Sequence, residues 1–326
     1  MGDAIVLEQL TKTFGEKVAV RDLDLTVPEG ALYGVIGPNG AGKTTMIRII
    51  LSILFADRGE LRVLGRASAL QAKDRIGYLP EERGLYKKMR VGDFLVYMAR
   101  LKGLDGPDLE ARVATWLERV GLGDVRDKPC EELSKGMQQK AQFIAAVIHR
   151  PDLLILDEPF SGLDPVNQRL LRDLVLEEHR RGATVLFSTH IMTHAEQLCE
   201  QVVMIHEGRK VLDQTVASIG ASYDPRSILF EPFDPSADVS VIRAVPGVRG
   251  ITRDGGTWDI ALDDGASPAN VIQCVVAMLP PSRIEVRRPT LEDVFVRIVT
   301  GGSEGDDLAR LREALREGDA AQEVKR

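Results

Sequence analysis

The sequence predicts an α/β fold followed by a small α+β domain. Three observations carry that reading. Short aliphatic runs alternate with helical stretches between 153 and 205, which is the pattern of a parallel sheet covered on both faces. A glycine-rich loop, GPNGAGKTT at 37–45, joins an apolar run to a helix. The composition then shifts near 218–226, SIGASYDPR, and a different pattern begins.

The elements follow in chain order. Residues 3–30 alternate apolar and polar, with turn signals at Gly15 and at Pro28-Glu29-Gly30, and predict antiparallel strands. ALYGVI at 31–36 predicts a buried strand, and Thr44 to Leu54 a helix. Residues 85–150 read as a helical insertion. Within it Leu109, Val113, Trp116, Leu117 and Val120 share one helix face, which Gly121 and Gly123 end. The β pattern returns with LLIL at 153–156, a helix within 165–181, TVLFST at 184–189, a helix near 192–200 and VVMI at 202–205. These elements bound a first domain at 3–217. Residues 227–300 predict strands at RSILFE, TWDIAL and RIEVRR and helices at ANVIQCVVAML and LEDVFVRIV. The charged tail, 303–326, predicts one short helix through Leu308, Leu311 and Leu315, the rest disordered.

Length and composition bound the function. At 326 residues the chain exceeds one typical core, so two domains are expected. Hydrophobic residues make 44% and charged residues 28%, as in soluble globular proteins. A net charge of −7 argues against a broad nucleic-acid footprint. Cys130, Cys199 and Cys274 form no C-x-x-C pair and no disulfide framework; they read as buried small hydrophobes in a reduced, cytosolic protein. MGDAIVLEQL is no signal peptide, and its Gly2 context does not suit myristoylation. The strongest apolar run, IILSILFA at 49–56, falls far short of the roughly 20 residues that span a bilayer, so a membrane role needs a partner.

GPNGAGKT at 37–44 matches G-x-x-x-x-G-K-[ST] in its required strand–loop–helix context. Gly37, Gly40 and Gly42 let backbone N–H groups turn onto phosphate oxygens, with Pro38, Asn39 and Ala41 between them. Lys43 is placed to reach the β and γ phosphates, Thr44 to ligate Mg²⁺, and Thr45 follows in the same turn. The loop implies a nucleoside triphosphate, and no N-K-x-D guanine signature is present. Phe14 could stack on adenine or serve as an ordinary core aromatic.

LLILDEP at 153–159 ends a buried strand with two acids, which a fold seldom buries without a task. Asp157 can hold Mg²⁺ through its water shell, and Glu158 can polarise an attacking water as general base. His190 closes TVLFST at the carboxyl end of a strand, where it could bond the γ-phosphate or the attacking water. His149, His179, His194 and His206 read as surface or helix residues.

Together these stretches resemble the ATP-binding subunits of ABC transporters. The order is that family's: the loop at 37–45, LSKGMQ at 133–138, LILDEP at 154–159, SGLD at 161–164, then His190. The likeness covers residues 3–210. It implies a P-loop NTPase cassette with a RecA-like core, an N-terminal antiparallel β subdomain and a helical subdomain at about 85–150. It also implies that two cassettes pair head to tail, each ATP lying between one loop and the other copy's signature. Ser134, Lys135, Gly136 and Asp164 would then contact the partner's ATP. LSKGMQ departs from the family's LSGGQ form at Lys135 and Met137, as in a subgroup of bacterial exporter cassettes. IGYLPEERGLY at 76–86 carries Glu81 where the family usually has a Mg²⁺-contacting Gln; a carboxylate can still ligate the metal but adds negative charge beside the phosphates.

LPEERGLY, SGLDPVN at 161–167 and RPTLEDVFVRI at 288–298 resemble the sodium-exporter and drug-exporter subset most closely. That resemblance implies an ATPase with ATP and Mg²⁺. Its partners would be a second cassette, as homodimer or heterodimer with a paralogue, and a separate multispanning permease, with no nucleic acid. The location implied is cytoplasmic, on the inner face of the membrane through the permease, and the C-terminal domain reads as a dimer-stabilising or regulatory appendage. The rival is a non-transport ABC ATPase acting on DNA or ribosomes. The span from 46 to 132 leaves no room for the long coiled coil of the DNA-repair type, and the chain has one cassette where translation types carry two.

Overall fold

The computed structural model describes residues 2–82, 84–222, 227–287 and 290–299. The expected helix in the tail lies outside them. The chain divides into two compact units at Val216, the second running from Ala217 to Arg297.

In the first unit the strands are β1 (Asp3–Phe14), β2 (Lys17–Pro28), β3 (Leu32–Ile36), β4 (Arg58–Val63), β5 (Ile76–Leu79), β6 (Leu153–Asp157), β7 (Thr184–Thr189), β8 (Gln201–His206) and β9 (Arg209–Thr215). Its helices are α1 (Lys43–Ile50), α2 (Val91–Leu101), α3 (Leu109–Arg119), α4 (Lys135–Val147), α5 (Pro165–Arg180) and α6 (Met192–Leu198). β1 and β2 form a hairpin around Gly15, and β4 adds on the other edge, giving a three-stranded antiparallel sheet, β2-β1-β4. The six-stranded sheet runs β5-β6-β7-β3-β8-β9. Its first five strands are parallel, because helical connections return the chain to the same edge.

Apolar alternation in β1 and β2 turns Ile5, Leu7, Leu23 and Leu25 inward. They share a core with Met46 and Ile47 of α1 and with Ile155, Leu186 and Val203 of the parallel sheet. Burying each such side chain contributes about 1.5–3 kcal/mol, so this core fixes α1, and the loop before it, between the two sheets.

The structure corrects several expectations. The helix expected to reach Leu54 ends at Ile50. Ser52 takes a left-handed φ of 56°, and the N–H groups of Ser52 and Ile53 close on Ile49 O and Arg48 O; this is a Schellman stop with serine in glycine's usual place. β9 breaks the parallel pattern. The chain reverses at Glu207-Gly208 (φ 48° and 76°), so β9 returns antiparallel to β8. His206 ends β8 rather than lying in a helix, and His149 is half-buried, its Nε2 3.2 Å from Ile76 O. Cys130 and Cys199 are buried, but Cys274 is exposed on the outer side of its helix.

The second unit contains α7 (Val216–Ser222), β10 (Ser227–Pro232), β11 (Val248–Asp254), β12 (Thr257–Leu262), α8 (Pro268–Met278), β13 (Pro281–Arg287) and α9 (Leu291–Val299), which reaches past its last residue. β11, with its polar, glycine-interrupted sequence, adds to the three expected strands. The sheet order is β11-β12-β10-β13, antiparallel throughout. Val271 and Val275 of α8 join Ile228, Phe230, Ile260 and Leu262 in one core.

Candidate nucleotide and hydrolysis site

Parallel register decides which residues meet at the carboxyl edge of the large sheet. Ile36 of β3 pairs with Thr189 of β7, Asp157 of β6 with Ser188, and Leu79 of β5 with Leu156. One step beyond those pairs come Gly37, His190 and Glu158, with Glu81 in the loop after β5. Ligands bind at this edge of open α/β sheets.

The loop is shaped for close approach. Gly37 (φ 152°) and Gly42 (φ 109°) take conformations that side chains resist; a Cβ on them would fall 2.1 Å from Ile205 O and 2.3 Å from Ala19 O. α1 then begins at Lys43 with no side-chain cap and no acid in its first turn. Its leading N–H groups and dipole therefore favour an anion. Lys43 is 6% exposed, and its ammonium donates to Gly37 O at 2.8 Å and Pro38 O at 3.2 Å, 3.7 Å from Glu158 Oε1. Burial pulls the lysine's pKa down, and the charges of Glu158 and Asp157 oppose that.

Asp157 is 1% exposed. Ser188 Oγ donates to its Oδ1 at 2.5 Å and Thr44 Oγ1 at 3.4 Å. Its Oδ2 is buried without a hydrogen-bond partner among the described residues. Burial raises this carboxyl above the usual range, against the two hydroxyl donors. Glu158 has a left-handed φ of 49°. Such a conformation costs a non-glycine residue on the order of 1 kcal/mol and clusters at functional sites. Its N–H donates to Ser188 O at 3.1 Å, and His190 Nδ1 lies 2.8 Å from its Oε1. The ring thus fixes the carboxylate's direction. Burial first, and then the charges of Glu158 and Asp157, raise the carboxyl of Glu81.

A cavity of about 400 Å³ is lined by Phe14, Lys17, Ala19, Asn39, Gly40, Gly42, Lys43, Thr44, Thr45, Glu81 and Glu158, with Asp157 and His190 outside that lining. That volume lies within the range of small-ligand sites. Phe14 is 48% exposed, with the Lys12 ammonium 5.5 Å from its ring centre, so it is a wall residue and not a core aromatic. Gly37, Pro38 and Ala41 belong to the same loop behind that wall. Lys17, Ala19 and Ser188 were not expected here. The only sequence signal for Ser188 is a hydroxyl two residues before His190, and for Lys17 a cation just past the Gly15 turn.

Ser134, Lys135, Gly136 and Asp164 do not line the cavity. Ser134 is the exposed N-cap of α4, accepting from the Met137 N–H at 3.3 Å. Lys135 and Gly136 open the helix, whose first turn has no acid. Asp164 caps α5, accepting from the Asn167 N–H at 2.9 Å and its side-chain amide at 2.5 Å, and those bonds hold its carboxyl below the usual range. Two glutamines tie α4 to the cavity's edge: Gln139 Nε2 donates to Pro159 O at 3.0 Å and Gln142 Nε2 to Glu82 O at 3.4 Å.

Comparisons place this geometry among known proteins. Residues 20–161 match the ABC transporter family model, and residues 215–299 match the C-terminal domain model described as ATP-binding protein DrrA1-3-like. The chain is 42% identical to the ABC transporter ATP-binding protein YhaQ of Bacillus subtilis, over 90% of this chain and 98% of that one. It is 37% identical to the Nod factor export ATP-binding protein I of Sinorhizobium fredii, over 90% of this chain and 85% of that one. Among solved structures, an ATP-binding subunit of an ABC transporter superposes with a TM-score of 0.63 at 30% identity, covering 67% of this chain and 92% of that one.

Proposed function

The chain belongs to the ABC transporter family of ATP-binding proteins, and we propose that it powers export through a separate membrane permease. It binds and hydrolyses ATP. The observation that carries the finer reading is that Lys43 and Glu158 line one cavity while His190 bonds Glu158 and Asp157 meets the Thr44 hydroxyl just behind it.

In this reading the triphosphate lies along residues 37–45, and Lys43 exchanges its loop carbonyls for the β and γ phosphates. Glu158, aimed by His190, takes the proton of the attacking water. The orphaned Oδ2 of Asp157, beside the Thr44 hydroxyl, suits a hard divalent cation, and Thr44, Asp157 and Glu81 would hold Mg²⁺. When bound, that ion spreads the charge developing on the phosphates. Phe14 stacks on the base. Ser134, Lys135 and Asp164, exposed, and Gly136, partly buried, lie outside their own chain's cavity and serve the ATP held by a second copy. Two copies therefore close around two nucleotides, and ATP shifts the pair toward the closed state by its greater affinity for it.

The export reading is supported by the Nod factor export relative and by the DrrA-like second domain. No helix among the described residues is long and apolar enough to cross a membrane. In our reading the protein sits at the cytoplasmic face by docking to a permease, with no nucleic-acid partner. Tyr86 (51% exposed) and Tyr97 (40% exposed), stacked edge to face at 5.7 Å beside Lys87 and Lys88, offer an apolar and basic patch for that docking.

The test is Glu158→Gln. Hydrolysis should fall by about 10²–10⁴-fold, the usual contribution of a general base, while a nucleotide-bound dimer accumulates in size-exclusion chromatography. Unchanged turnover would remove Glu158 from the reaction.

A further inference from the structure

Pro165, Gln168, Arg169 and Arg172 stand at i, i+3, i+4 and i+7, so they share one face of α5. His194 and Gln197 stand three residues apart on α6. Together with Phe160 these residues line a second cavity, of about 230 Å³, which shares no lining residue with the nucleotide cavity. A helix face at this spacing ordinarily presents apolar side chains to its neighbours; here it presents two guanidiniums and an amide. Neither guanidinium enters an ion pair among the described residues, and Arg172 Nη1 donates to Gln197 Oε1 at 3.3 Å. No carboxylate lines the cavity. The nearby acids are engaged elsewhere or stand outside it. Asp164 accepts from Asn167, Glu177 from Arg119 and Glu178 from Arg181, and Asp173 and Glu196 do not belong to the lining.

We propose that this cavity is a second ligand site, for a small oxyanion of the phosphate or carboxylate type, held by Arg169 and Arg172. Two uncompensated guanidiniums in a concave site attract an anion, and their planar forks match its oxygens. The volume lies below the about 300–1,000 Å³ of drug-sized sites, so the occupant is small. The cavity adjoins the reaction edge without entering it. Phe160 is 6% exposed and follows Glu158 by two residues. Its ring packs on Phe187 of β7, centres 5.4 Å apart, and edge-on against His194 at 5.3 Å. His194 in turn follows His190 by four residues. An oxyanion bound to α5 beside α6 therefore steadies the two loops that carry Glu158 and His190, and it favours hydrolysis without competing for the nucleotide. An acidic side chain of a second copy would offer the same chemistry as a free anion, so the test separates these two sources.

The experiment titrates inorganic phosphate into the full chain by calorimetry, with a non-hydrolysable ATP analogue and Mg²⁺ in excess to fill the first cavity and sodium chloride matching the ionic strength. Wild type should bind phosphate saturably. Arg169→Gln and Arg172→Gln should each weaken that binding at least about tenfold, as loss of a charged hydrogen-bond donor predicts, while Arg172→Lys, which keeps the charge but not the fork, should fall between. Melting temperatures show that each variant is folded, and the exposed Arg169 decides the matter if Arg172→Gln is not. At saturating ATP, phosphate should raise the turnover of wild type and not that of Arg172→Gln; an equal response of the two would break the link to the reaction edge. No phosphate binding by wild type, or binding that both glutamine variants retain, would overturn the site. If wild type binds no phosphate and Arg172→Gln abolishes the nucleotide-induced dimer in size-exclusion chromatography, the arginines belong to a second copy's acidic side chain and the proposal falls.

Discussion

The cavity edge and the signature face of this cassette are built in opposite ways. At the edge, Lys43, Asp157, Glu158 and His190 are each at most 9% exposed, and each is held by another group of the same chain. At the signature face, Ser134 and Asp164 are exposed and, among the described residues, their side chains bond to their own helix ends. The first arrangement is finished within one chain. The second leaves the N-terminus of α4 turned to solvent behind a neutral serine cap and without an acid in its first turn, whereas α5 is capped by the Asp164 carboxylate. The contrast teaches that burial and mutual bonding mark groups organised in advance, while an exposed neutral cap such as Ser134, with no acid in its helix's first turn, leaves a helix end suited to an anion.

The largest effect expected is from Lys43→Ala. Removing the ammonium should abolish measurable nucleotide binding and lower turnover about a thousandfold, as loss of a buried electrostatic stabiliser does. A variant that keeps tight binding would place the phosphates elsewhere.

Gly136→Asp probes the other region directly. A Cβ at Gly136 meets its nearest atom, Asn167 Nδ2, at 3.5 Å, an ordinary contact, so the fold should tolerate the change. The added charge opposes an anion at the start of α4. We expect turnover to fall about a hundredfold with the monomer's nucleotide affinity preserved. If affinity falls equally in the monomer, the signature serves its own chain and the contrast between the regions collapses.

Ser188→Ala tests how far the edge is organised in advance. It removes the 2.5 Å donor to Asp157 and leaves a buried carboxylate short of one partner. The cost should be about 1–3 kcal/mol in urea denaturation, with the signature face unaffected.

The smallest effect concerns pH. His149 has its pKa lowered from 6.5 to about 4, by burial first and then by the Lys102 charge. The folded state thus prefers the neutral ring, and the unfolded chain binds the proton first as pH falls. Stability should be complete above pH 6.5, decline from there to about 4 and level off below, by about 2 kcal/mol once solvent screening is allowed for. His149→Gln should flatten that part of the denaturation-midpoint profile, leaving the catalytic edge's response unchanged.

How much of this was legible in the residues varied with how local the cause was. The loop at 37–45 and the strand ending in Asp157 and Glu158 are contiguous patterns whose geometry follows from neighbouring residues. Ser188 was not legible because it meets its site only through pairing with a strand distant in the chain, and Lys17 because its hairpin reaches the loop at 37–45 only in the folded chain. β9 and β11 escaped for a related reason. Both are edge strands with few apolar residues, so the pairing partner, rather than a periodic pattern, makes them strands.

By itself the amino-acid order determined the phosphate loop, the alternation that produces a parallel sheet, and the family likeness, since all of these rest on short-range backbone preference and side-chain spacing. Only the tertiary structure decided that Glu81, Glu158, His190 and Gly37 share one edge, that Phe14 faces a cavity, and that the signature residues do not line it. Those are matters of register and strand order, which depend on which distant segments pair and bury their apolar faces together.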